Sequence, residues 1–404
     1  MTEKLFYQDS HLAEFEAEVI SCEPAGADFD ESGKGQPHLW AAELDRTAFF
    51  PEGGGQYADT GVLGGVRVVD VQEKEDRILH LLDAPLEPGI RVAGMIDREE
   101  RFMKMQQHSG EHIVSGLVNS RFGYHNVGFH LGSEDCTMDF DGELTKEQLS
   151  EIEREANRAV WKNLEIQTLY PSKEELAEME YRSKIEIEGQ VRIIVVPGYD
   201  VCACCAPHVS RTGEIGVIKL THVQRYKGGS RVTMLCGVRA LADYAEKQEQ
   251  AGEISALLCA KENEIAESVQ RLKDEANALK YALVEKEKKL IAAKTELIPK
   301  DGKPVCVFAE DVEGDSMRIL MNLVLEAGHG LCAVFHGNDN DGYRYVIGSR
   351  EQDGRIINMR GFAKEFNAAF NGRGGGKPEM VQGTARGSKE EMRAWILEKA
   401  GEIS

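Results

Sequence analysis

The chain has 404 residues, more than one hydrophobic core usually organises, so the length predicts two or three domains. Hydrophobic residues make up 42% of the sequence, yet no run approaches the roughly 18 apolar residues of a membrane span, and residues 1–17 are too polar for a leader peptide. The net charge of -21 argues against nonspecific coating of nucleic acid, because phosphate binding depends on lysine and arginine. We therefore expect a cytoplasmic protein without membrane association.

Residues 1–92 alternate short β-rich runs with turn residues, as in Ala17–Ile20 and Val66–Val71. This alternation predicts a small, β-barrel-like N-terminal domain. A helical pattern with an acidic first turn follows from Asp97 to about Asn119, and a second helix begins at Thr145 with a capping signature. Together with β-branched runs further along, these helices predict a mixed α+β domain over residues 93–237.

A glycine-rich segment lies inside the N-terminal domain. Thr47 begins the run Thr-Ala-Phe-Phe-Pro-Glu, which continues with Gly53, Gly54, Gly55 and Gln56. Three consecutive glycines remove every side chain from a short backbone segment, so a ligand can approach closely and positive φ angles are accessible. An ordinary hairpin turn is the alternative. The hydroxyl of Thr47 and the amide of Gln56 at the two ends favour a binding segment.

Histidines and cysteines at metal-ligand spacing form the main chemical motif. His108 and His112 are one helical turn apart, so both imidazoles lie on one face of the predicted helix. About 90 residues later, Cys204 and His208 add a thiolate and a third imidazole, a donor set that zinc accepts tetrahedrally. We therefore predict one zinc ion held by these four residues. Other cysteines in the same cluster compete as ligands: Cys202 and Cys205.

A long helical arm is predicted over residues 238–299. Between Leu241 and Leu297 there is no proline and only one glycine, and apolar residues recur at alternating spacings of three and four. We expect a coiled coil, either within the chain or with a second copy in a homodimer. The alternative is a bent helix that packs on a neighbouring domain.

The last segment, residues 303–404, alternates strand and helix patterns and predicts an α/β domain. It contains a glycine-rich stretch, Gly372–Gly383, in a region with six basic and two acidic residues between Arg360 and Lys389. The stretch is not a phosphate-binding P-loop, because Pro378 follows Lys377 where Ser or Thr is required. A flexible surface loop is one interpretation, and a segment that contacts RNA phosphates is the other.

These motifs, in this order, resemble the editing region of alanyl-tRNA synthetases and their free-standing editing relatives. The third motif reads Cys204 to His208, then Val209 and Thr212 to Gly216, and the stretch after Gly372 is similar to the DHH-associated domain that ends those synthetases. Between Cys204 and His208 the chain has Cys-Ala-Pro where the family usually has Gly-Gly-Thr. The first motif begins at Thr47, which leaves no room before it for an aminoacylation domain, so we expect a stand-alone protein.

The resemblance implies a zinc-dependent hydrolase that removes serine, or alternatively glycine, from mischarged tRNA-Ala. Our hypothesis is that the hydroxyl of Thr47 reads the substrate side chain and that the amide of Gln56 orients the substrate or water, both as catalytic residues. The glycines Gly53, Gly54 and Gly55 would bind substrate, and Arg373 and Lys377 would contact the tRNA. A polar group that pairs with serine discriminates strongly against alanine.

Two other interpretations stay open. His108 to His112 also fits His-x-x-Glu-His, the zinc metalloprotease pattern, with Glu111 as general base, although Glu111 is more typical of a solvated or outer carboxylate. A protease of that kind takes its third ligand from a downstream carboxylate. Alternatively, four protein ligands fill a tetrahedral zinc, which favours a noncatalytic tRNA-binding protein with a structural zinc.

Overall fold

The fold comes from a computed structural model that describes residues 2–25, 39–75, 77–132, 136–183, 190–351 and 357–403. The chain forms two compact units, Met1–Glu253 and Ile254–Ser404. Both mix helices and strands, so the predicted α+β class is confirmed. The boundary between the units falls inside the predicted helical arm. No helix of the described residues has the length and apolar character to cross a membrane.

Eight strands make up the N-terminal part of the first unit. They are β1 (Glu3–Lys4), β2 (Glu14–Pro24), β3 (Trp40–Leu44), β4 (Arg46–Thr47), β5 (Gly61–Leu63), β6 (Val66–Lys74), β7 (Arg77–Leu82) and β8 (Arg91–Ile96). Six of them close into a ring in the order β2-β3-β7-β6-β5-β8, and β1 pairs in parallel with β4. Alternate residues of these strands point inward and form one apolar core, which contains Phe49 and Phe50.

A long buried helix, α1 (Arg98–Phe122), follows the barrel. The helical pattern was predicted to begin at Asp97, and this residue caps the first turn by accepting a hydrogen bond from the backbone N–H of Glu100, whereas Gly123 ends the helix in the left-handed conformation. Its middle is buried on all sides, including both histidines. The elements that follow along the chain are β9 (Asn126–Leu131), β10 (Cys136–Phe140), α2 (Lys146–Lys162), β11 (Gln167–Leu169), α3 (Lys173–Glu178), β12 (Ile193–Val196), β13 (Asp200–Ala203), β14 (Ile218–Tyr226), β15 (Gly229–Cys236) and α4 (Gly237–Leu258).

Two sheets pack around α1. One has the order β14-β15-β10-β9 and the other β11-β12-β13. Helix α2 carries the predicted capping box, in which Thr145 and Gln148 bond each other's backbone N–H. Gly116 allows β13 to approach α1, because a Cβ there would overlap the carbonyl oxygen of Tyr199 and crowd Asp200. This close approach brings the start of β13 beside the histidines of α1.

A buried ionic network fastens the barrel to α1. Arg101 of the helix forms a forked ion pair with Asp59 of the barrel and donates to the carbonyl oxygen of Ala48. Lys104, one turn on, donates to the carbonyl oxygen of Ala58 and lies 3.8 Å from the Tyr57 ring centroid. Both cationic side chains are almost fully buried, so each depends on these partners. The network fixes the position of the glycine-rich segment relative to the helix that carries His108 and His112.

The predicted single arm is interrupted. Helix α4 ends at Leu258, Cys259 takes a positive φ of 48°, and a new helix, α5 (Ile265–Glu296), begins after a short turn. The prediction of one continuous helix was therefore wrong at this point. Apolar residues at the coiled-coil spacing of α5, such as Leu272, Leu279 and Leu283, are exposed. The coiled coil stays a prediction.

The second unit is a sheet between helices. Its elements after α5 are β16 (Val305–Phe308), α6 (Asp315–Glu326), β17 (Leu331–Asn338), β18 (Gly342–Ser349), α7 (Met359–Ala369), β19 (Arg373–Gly376), β20 (Met380–Ala385) and α8 (Lys389–Ile403). The strand order is β16-β17-β18-β20-β19. One apolar core lies between the sheet and α7 and α8, and another between the sheet, α6 and the end of α5. Within the glycine-rich stretch, Arg373–Gly376 form the exposed edge strand β19 and the last residues belong to β20, so the stretch is not a loop throughout.

Candidate metal centre and substrate site

The four predicted ligands meet at one point. One donor atom from each of His108, His112, Cys204 and His208 lies within 4.8 Å of all the others. The Cys204 Sγ is 3.4 Å from His108 Nε2 and 3.5 Å from His208 Nε2. Two such atoms, bound at about 2.3 and 2.1 Å to a tetrahedral zinc, stand about 3.6 Å apart. The donor types and their spacing therefore fit zinc.

Backbone contacts hold the loop that carries Cys204 and His208. One guanidinium nitrogen of Arg192 donates to the carbonyl oxygens of Cys204 and Ala206, both at 2.9 Å. Ala206 is fully buried in the barrel core. The Ser10 hydroxyl donates to the carbonyl oxygen of His208 at 2.7 Å. The Cys-Ala-Pro departure from the family pattern thus seats the loop on the barrel while keeping the ligand spacing.

Each histidine of the set has an outer partner on Nδ1. The Nδ1 of His108 is 3.2 Å from Gln56 Oε1, that of His112 is 2.9 Å from Asp200 Oδ2, and that of His208 is 3.1 Å from Ser109 Oγ. When Nδ1 carries the proton and donates it outward, Nε2 keeps a free lone pair for a metal. All three imidazoles are therefore oriented with Nε2 toward the shared point.

Burial keeps two of the four ligands, His208 and Cys204, uncharged before a metal binds. The pKa of His208 lies well below its usual value because the ring is buried and faces His112 and His108. Burial, followed by the neighbouring Cys205, raises the pKa of the Cys204 thiol. Neutral imidazoles are the form that ligates metals, whereas the thiol must lose its proton on binding. Metal uptake should therefore release a proton from Cys204.

A second group, His112, Asp200 and Cys202, is also close enough to hold a metal. The guanidinium of Arg182 forms a fork on Asp200, with Nε 2.7 Å from Oδ1 and a terminal nitrogen 2.9 Å from Oδ2. This carboxylate is committed to Arg182 and to the His112 Nδ1. We interpret Asp200 as the outer support of His112 and not as a ligand.

Glu111 is buried beside the centre. The expectation was a solvated or an outer carboxylate, and because Glu111 is only 1% exposed, the solvated form was wrong. Its Oε1 accepts hydrogen bonds from Ser115 and Asn126, and its Oε2 is 3.8 Å from His112 Nε2. The four-residue metal group contains no carboxylate, which departs from the protease pattern.

The glycine-rich segment borders the same centre. Gly53 and Gln56 bond each other's backbone, with Gly54 and Gly55 in the left-handed region between them. A Cβ on Gly54 would lie 3.8 Å from His108 Cε1, and one on Gly55 would overlap the carbonyl oxygen of Phe129. Gln56 is 1% exposed, and its Nε2 has no hydrogen-bond partner among the described residues. An amide donor without a partner therefore lies directly beside a metal ligand.

Thr47 is fully buried at the end of β4. Its hydroxyl is 2.8 Å from His80 Nε2 and accepts from the backbone N–H of Phe49. Because the His80 Nδ1 lies 3.1 Å from the carbonyl oxygen of Ala42, its Nε2 is the acceptor and Thr47 donates to it. One lone pair of the Thr47 oxygen is left for a further donor. Its predicted role in reading the substrate stays a prediction.

The two predicted RNA contacts lie in the second unit. Arg373 begins β19 and lines a surface cavity of about 820 Å³, whereas Lys377 follows β19 and lines another of about 520 Å³. Arg344 and Arg373 face the same Thr384 from opposite sides across three neighbouring strands, and all three residues are exposed. Arg386 lines the larger cavity with them. The sequence prediction missed Arg344, since register across a sheet is invisible in a single strand.

Two family descriptions match parts of the chain. Residues 191–236 match the threonyl and alanyl tRNA synthetase second additional domain, and residues 301–402 match the DHHA1 domain. The first match includes Cys204 and His208. The second covers the sheet of the second unit.

Curated relatives extend the similarity along the chain. The chain is 27% identical to the alanyl-tRNA editing protein Aarsd1 of Danio rerio, over 97% of both sequences. It is 31% identical to an alanine–tRNA ligase of Ignicoccus hospitalis over 72% of its own length, and 32% identical to one of Methanoregula boonei over 95%. It spans only 32% and 41% of those two ligases. The predicted resemblance to alanyl-tRNA editing proteins and to regions of alanyl-tRNA synthetase is therefore confirmed.

Proposed function

We propose that this chain, which matches the synthetase second additional domain and the DHHA1 domain, hydrolyses the ester bond of mischarged tRNA-Ala. It removes serine, with glycine as a second substrate. The observation that carries the proposal is the convergence of three imidazoles and one thiol beside a bare glycine segment and an amide donor without a partner. An amide that is buried without a partner costs free energy unless a ligand completes its hydrogen bonds. The ester carbonyl supplies the missing acceptor.

Zinc is the metal we propose for the His108, His112, Cys204 and His208 set, and when bound it would supply positive charge beside the ester. The residues around it position the substrate. Gln56 is fixed through Oε1 on His108, so its Nε2 donates to the carbonyl oxygen of the ester. The absence of side chains at Gly53, Gly54 and Gly55 lets the terminal ribose approach the backbone.

Thr47 is the proposed reader of the amino-acid side chain. The Thr47 hydroxyl donates a hydrogen bond to His80, so its remaining lone pair accepts a hydrogen bond from the hydroxyl of a seryl group. Alanine offers no donor and leaves this lone pair unsatisfied. If Thr47→Val leaves the preference for serine over alanine unchanged, this assignment is wrong.

The second unit is the proposed docking surface for tRNA. Arg344, Arg373 and Arg386 line one cavity and would contact phosphates of the tRNA there, and Lys377 adds a charge beyond β19. These basic residues are grouped on one surface, although the chain as a whole has a net charge of -21. The exposed leucines of α5 support our further proposal of a homodimer through the helical arm. The substrate arises where tRNAs are charged, which is consistent with action in the cytoplasm.

The decisive experiment incubates the zinc-loaded protein with tRNA-Ala that carries serine, glycine or alanine, with and without a chelator. We expect rapid loss of serine, slower loss of glycine, retention of alanine and inhibition by the chelator. Tight binding of all three tRNAs without turnover would instead establish a noncatalytic protein with a structural zinc. Cleavage of a peptide that requires Glu111 but not Cys204 would establish a metalloprotease.

A further inference from the structure

A cavity of about 450 Å³ lies beside the loop that carries His208. His208 itself lines it, and so does Ser10, whose hydroxyl donates to the His208 carbonyl oxygen at 2.7 Å. Two arginines, Arg192 and Arg211, line it as well. The contacts proposed above for the ester and the terminal ribose do not use this cavity, although it is next to the candidate metal centre.

Both arginines of the cavity have N–H donors left for a ligand. A guanidinium group carries five such donors. Arg192 uses one terminal nitrogen for the carbonyl oxygens of Cys204 and Ala206, and its buried Nε has no hydrogen-bond partner among the described residues. Arg211 is exposed and donates to the carbonyl oxygen of Asn163 at 2.6 Å. These bonds all go to neutral oxygens, which leaves both positive charges available to an anion.

Two carboxylates also line the cavity, and they narrow the choice of anion. Asp9 and Glu165 balance the charges of Arg192 and Arg211. A free phosphate carries up to two negative charges and would be repelled by both carboxylates. A phosphodiester carries one charge that suits the arginines, and the ribose beside it offers a hydroxyl that a carboxylate accepts. One nucleotide unit of an RNA strand therefore fits this lining better than inorganic phosphate.

The wall of the cavity leads from Arg192 toward the glycine-rich segment. The guanidinium carbon of Arg192 is 5.3 Å from the centroid of the Tyr7 ring, which also lines the cavity. Cys205 is within electrostatic range of both groups. A Cβ on Gly54 would lie 3.6 Å from the Cys205 Sγ. The cavity and the position proposed for the terminal ribose are thus linked through two side chains, so neighbouring nucleotides of one strand can reach both.

We propose that this cavity binds the penultimate nucleotide of the tRNA, with Arg192 and Arg211 on the phosphate that joins it to the terminal adenosine. This inference rests on the proposed function. The Asp9 carboxylate already accepts from the backbone N–H of His11, so Glu165 is the acceptor for the ribose hydroxyl. Contacts to phosphate and sugar position a strand without reading its bases. The cavity therefore aligns the ester with the centre and does not contribute to the choice of tRNA.

The test measures binding of two uncleavable probes to the zinc-loaded full chain by calorimetry. One is 3′-amino-3′-deoxyadenosine that carries serine through a stable amide, and the other is the same nucleoside extended by cytidine through a 5′ phosphodiester. We expect the wild type to prefer the dinucleotide by about 10- to 100-fold, as for a hydrogen bond to a charged group. Arg211→Gln should remove most of that preference. Arg225→Gln, a change at an exposed arginine elsewhere in the same unit, should behave as the wild type.

A third probe tests the ribose contact. A dinucleotide whose cytidine lacks its 2′-hydroxyl should bind the wild type more weakly than the ribose form, and Glu165→Gln should reduce this difference. Inorganic phosphate in excess should not displace the dinucleotide. If it displaces the dinucleotide but not the nucleoside probe, the cavity is a site for free phosphate and the inference is wrong.

Other results would also overturn the inference. They are an unchanged preference in Arg211→Gln and equal weakening of both probes by this variant, which would show that Arg211 only maintains the fold. If the variant does not fold, the wild type alone gives the answer, because equal affinity for nucleoside and dinucleotide refutes the inference. Such a result together with intact deacylation of Ser-tRNA-Ala leaves the proposed function standing, whereas binding of neither probe and no deacylation refute both.

Discussion

Asp200→Asn tests whether the hydrogen bond from Asp200 to the His112 ring strengthens metal binding. Asp200 accepts the Nδ1–H of His112 at 2.9 Å and receives the Arg182 fork on both oxygens. Asparagine keeps the size of the side chain but removes the charge that makes the imidazole a stronger ligand. The NH₂ group can also face the His112 Nδ1–H, which would turn the ring away from the metal position.

Loss of such an outer partner typically weakens metal binding by about 10- to 100-fold, which corresponds to about 1.4 to 2.8 kcal/mol. The substitution also leaves the largely buried Arg182 without its counter-charge, so the protein should lose roughly 3 kcal/mol of stability. Zinc affinity measured by competition with a chelating dye gives the first quantity. Chemical denaturation of the metal-free protein gives the second.

Asp139→Asn is the matched control. Asp139 carries the same kind of fork from Arg231, at 2.6 and 2.7 Å, but contacts none of the metal ligands. It should lower stability and leave zinc affinity unchanged. If Asp200→Asn binds zinc within about threefold of the wild type, the proposed support of His112 is wrong. If Cys202→Ala abolishes zinc binding, the metal lies in the His112, Asp200 and Cys202 group instead.

Three further predictions concern neighbouring residues. Cys204→Ala should lose zinc while Cys205→Ala retains it, as metal analysis of the purified proteins will show, and the reverse result would exchange the sulfur ligand. Burial lowers the pKa of His80 to about 4, so the folded state resists a proton that the unfolded chain binds below about pH 6.5. Stability should therefore fall by about 3 kcal/mol between pH 6.5 and 4, and His80→Gln should remove that part of the slope in denaturation curves. Gly55→Ala should lower the Tm by roughly 5 °C or more because the added Cβ would overlap a backbone carbonyl oxygen. Gly54→Ala should lower the free energy of unfolding by only about 1 kcal/mol and therefore lower the Tm less. Equal Tm values for the two variants would contradict the described turn.

Local signals in the sequence were sufficient for several elements. The cap of α2 was predicted because Thr145 and Gln148 lie three residues apart, and the start of α1 at Asp97 was predicted from its acidic first turn. The break after α4 was not, because Cys259 adopts a positive φ without a glycine or proline to mark it. The edge strand β19 was also missed, since a run of glycines has little strand propensity and gains its structure from pairing with β20.

In the candidate site, too, some residues were predictable from the sequence and others were not. Its four proposed ligands follow from residue type and spacing. Their outer partners do not, because Asp200 and Ser109 reach their histidines across 88 and 99 residues. Gln56 was predicted for its amide alone, whereas its Oε1 is engaged by His108. Such contacts depend on how α1, β13 and the glycine segment pack, which no single segment encodes.

The buried ionic network between the barrel and α1 should make the formation of the metal centre cooperative. Asp59, Arg101 and Lys104 are each nearly inaccessible to water. Separation of the barrel from α1 would therefore break several buried ion pairs at once. We expect amide hydrogen exchange at Gly53–Gln56 and at His108–His112 to follow a single opening event. A fragment limited to residues 191–236 would carry only two of the four proposed donors, and transplanting that fragment should not transfer metal binding.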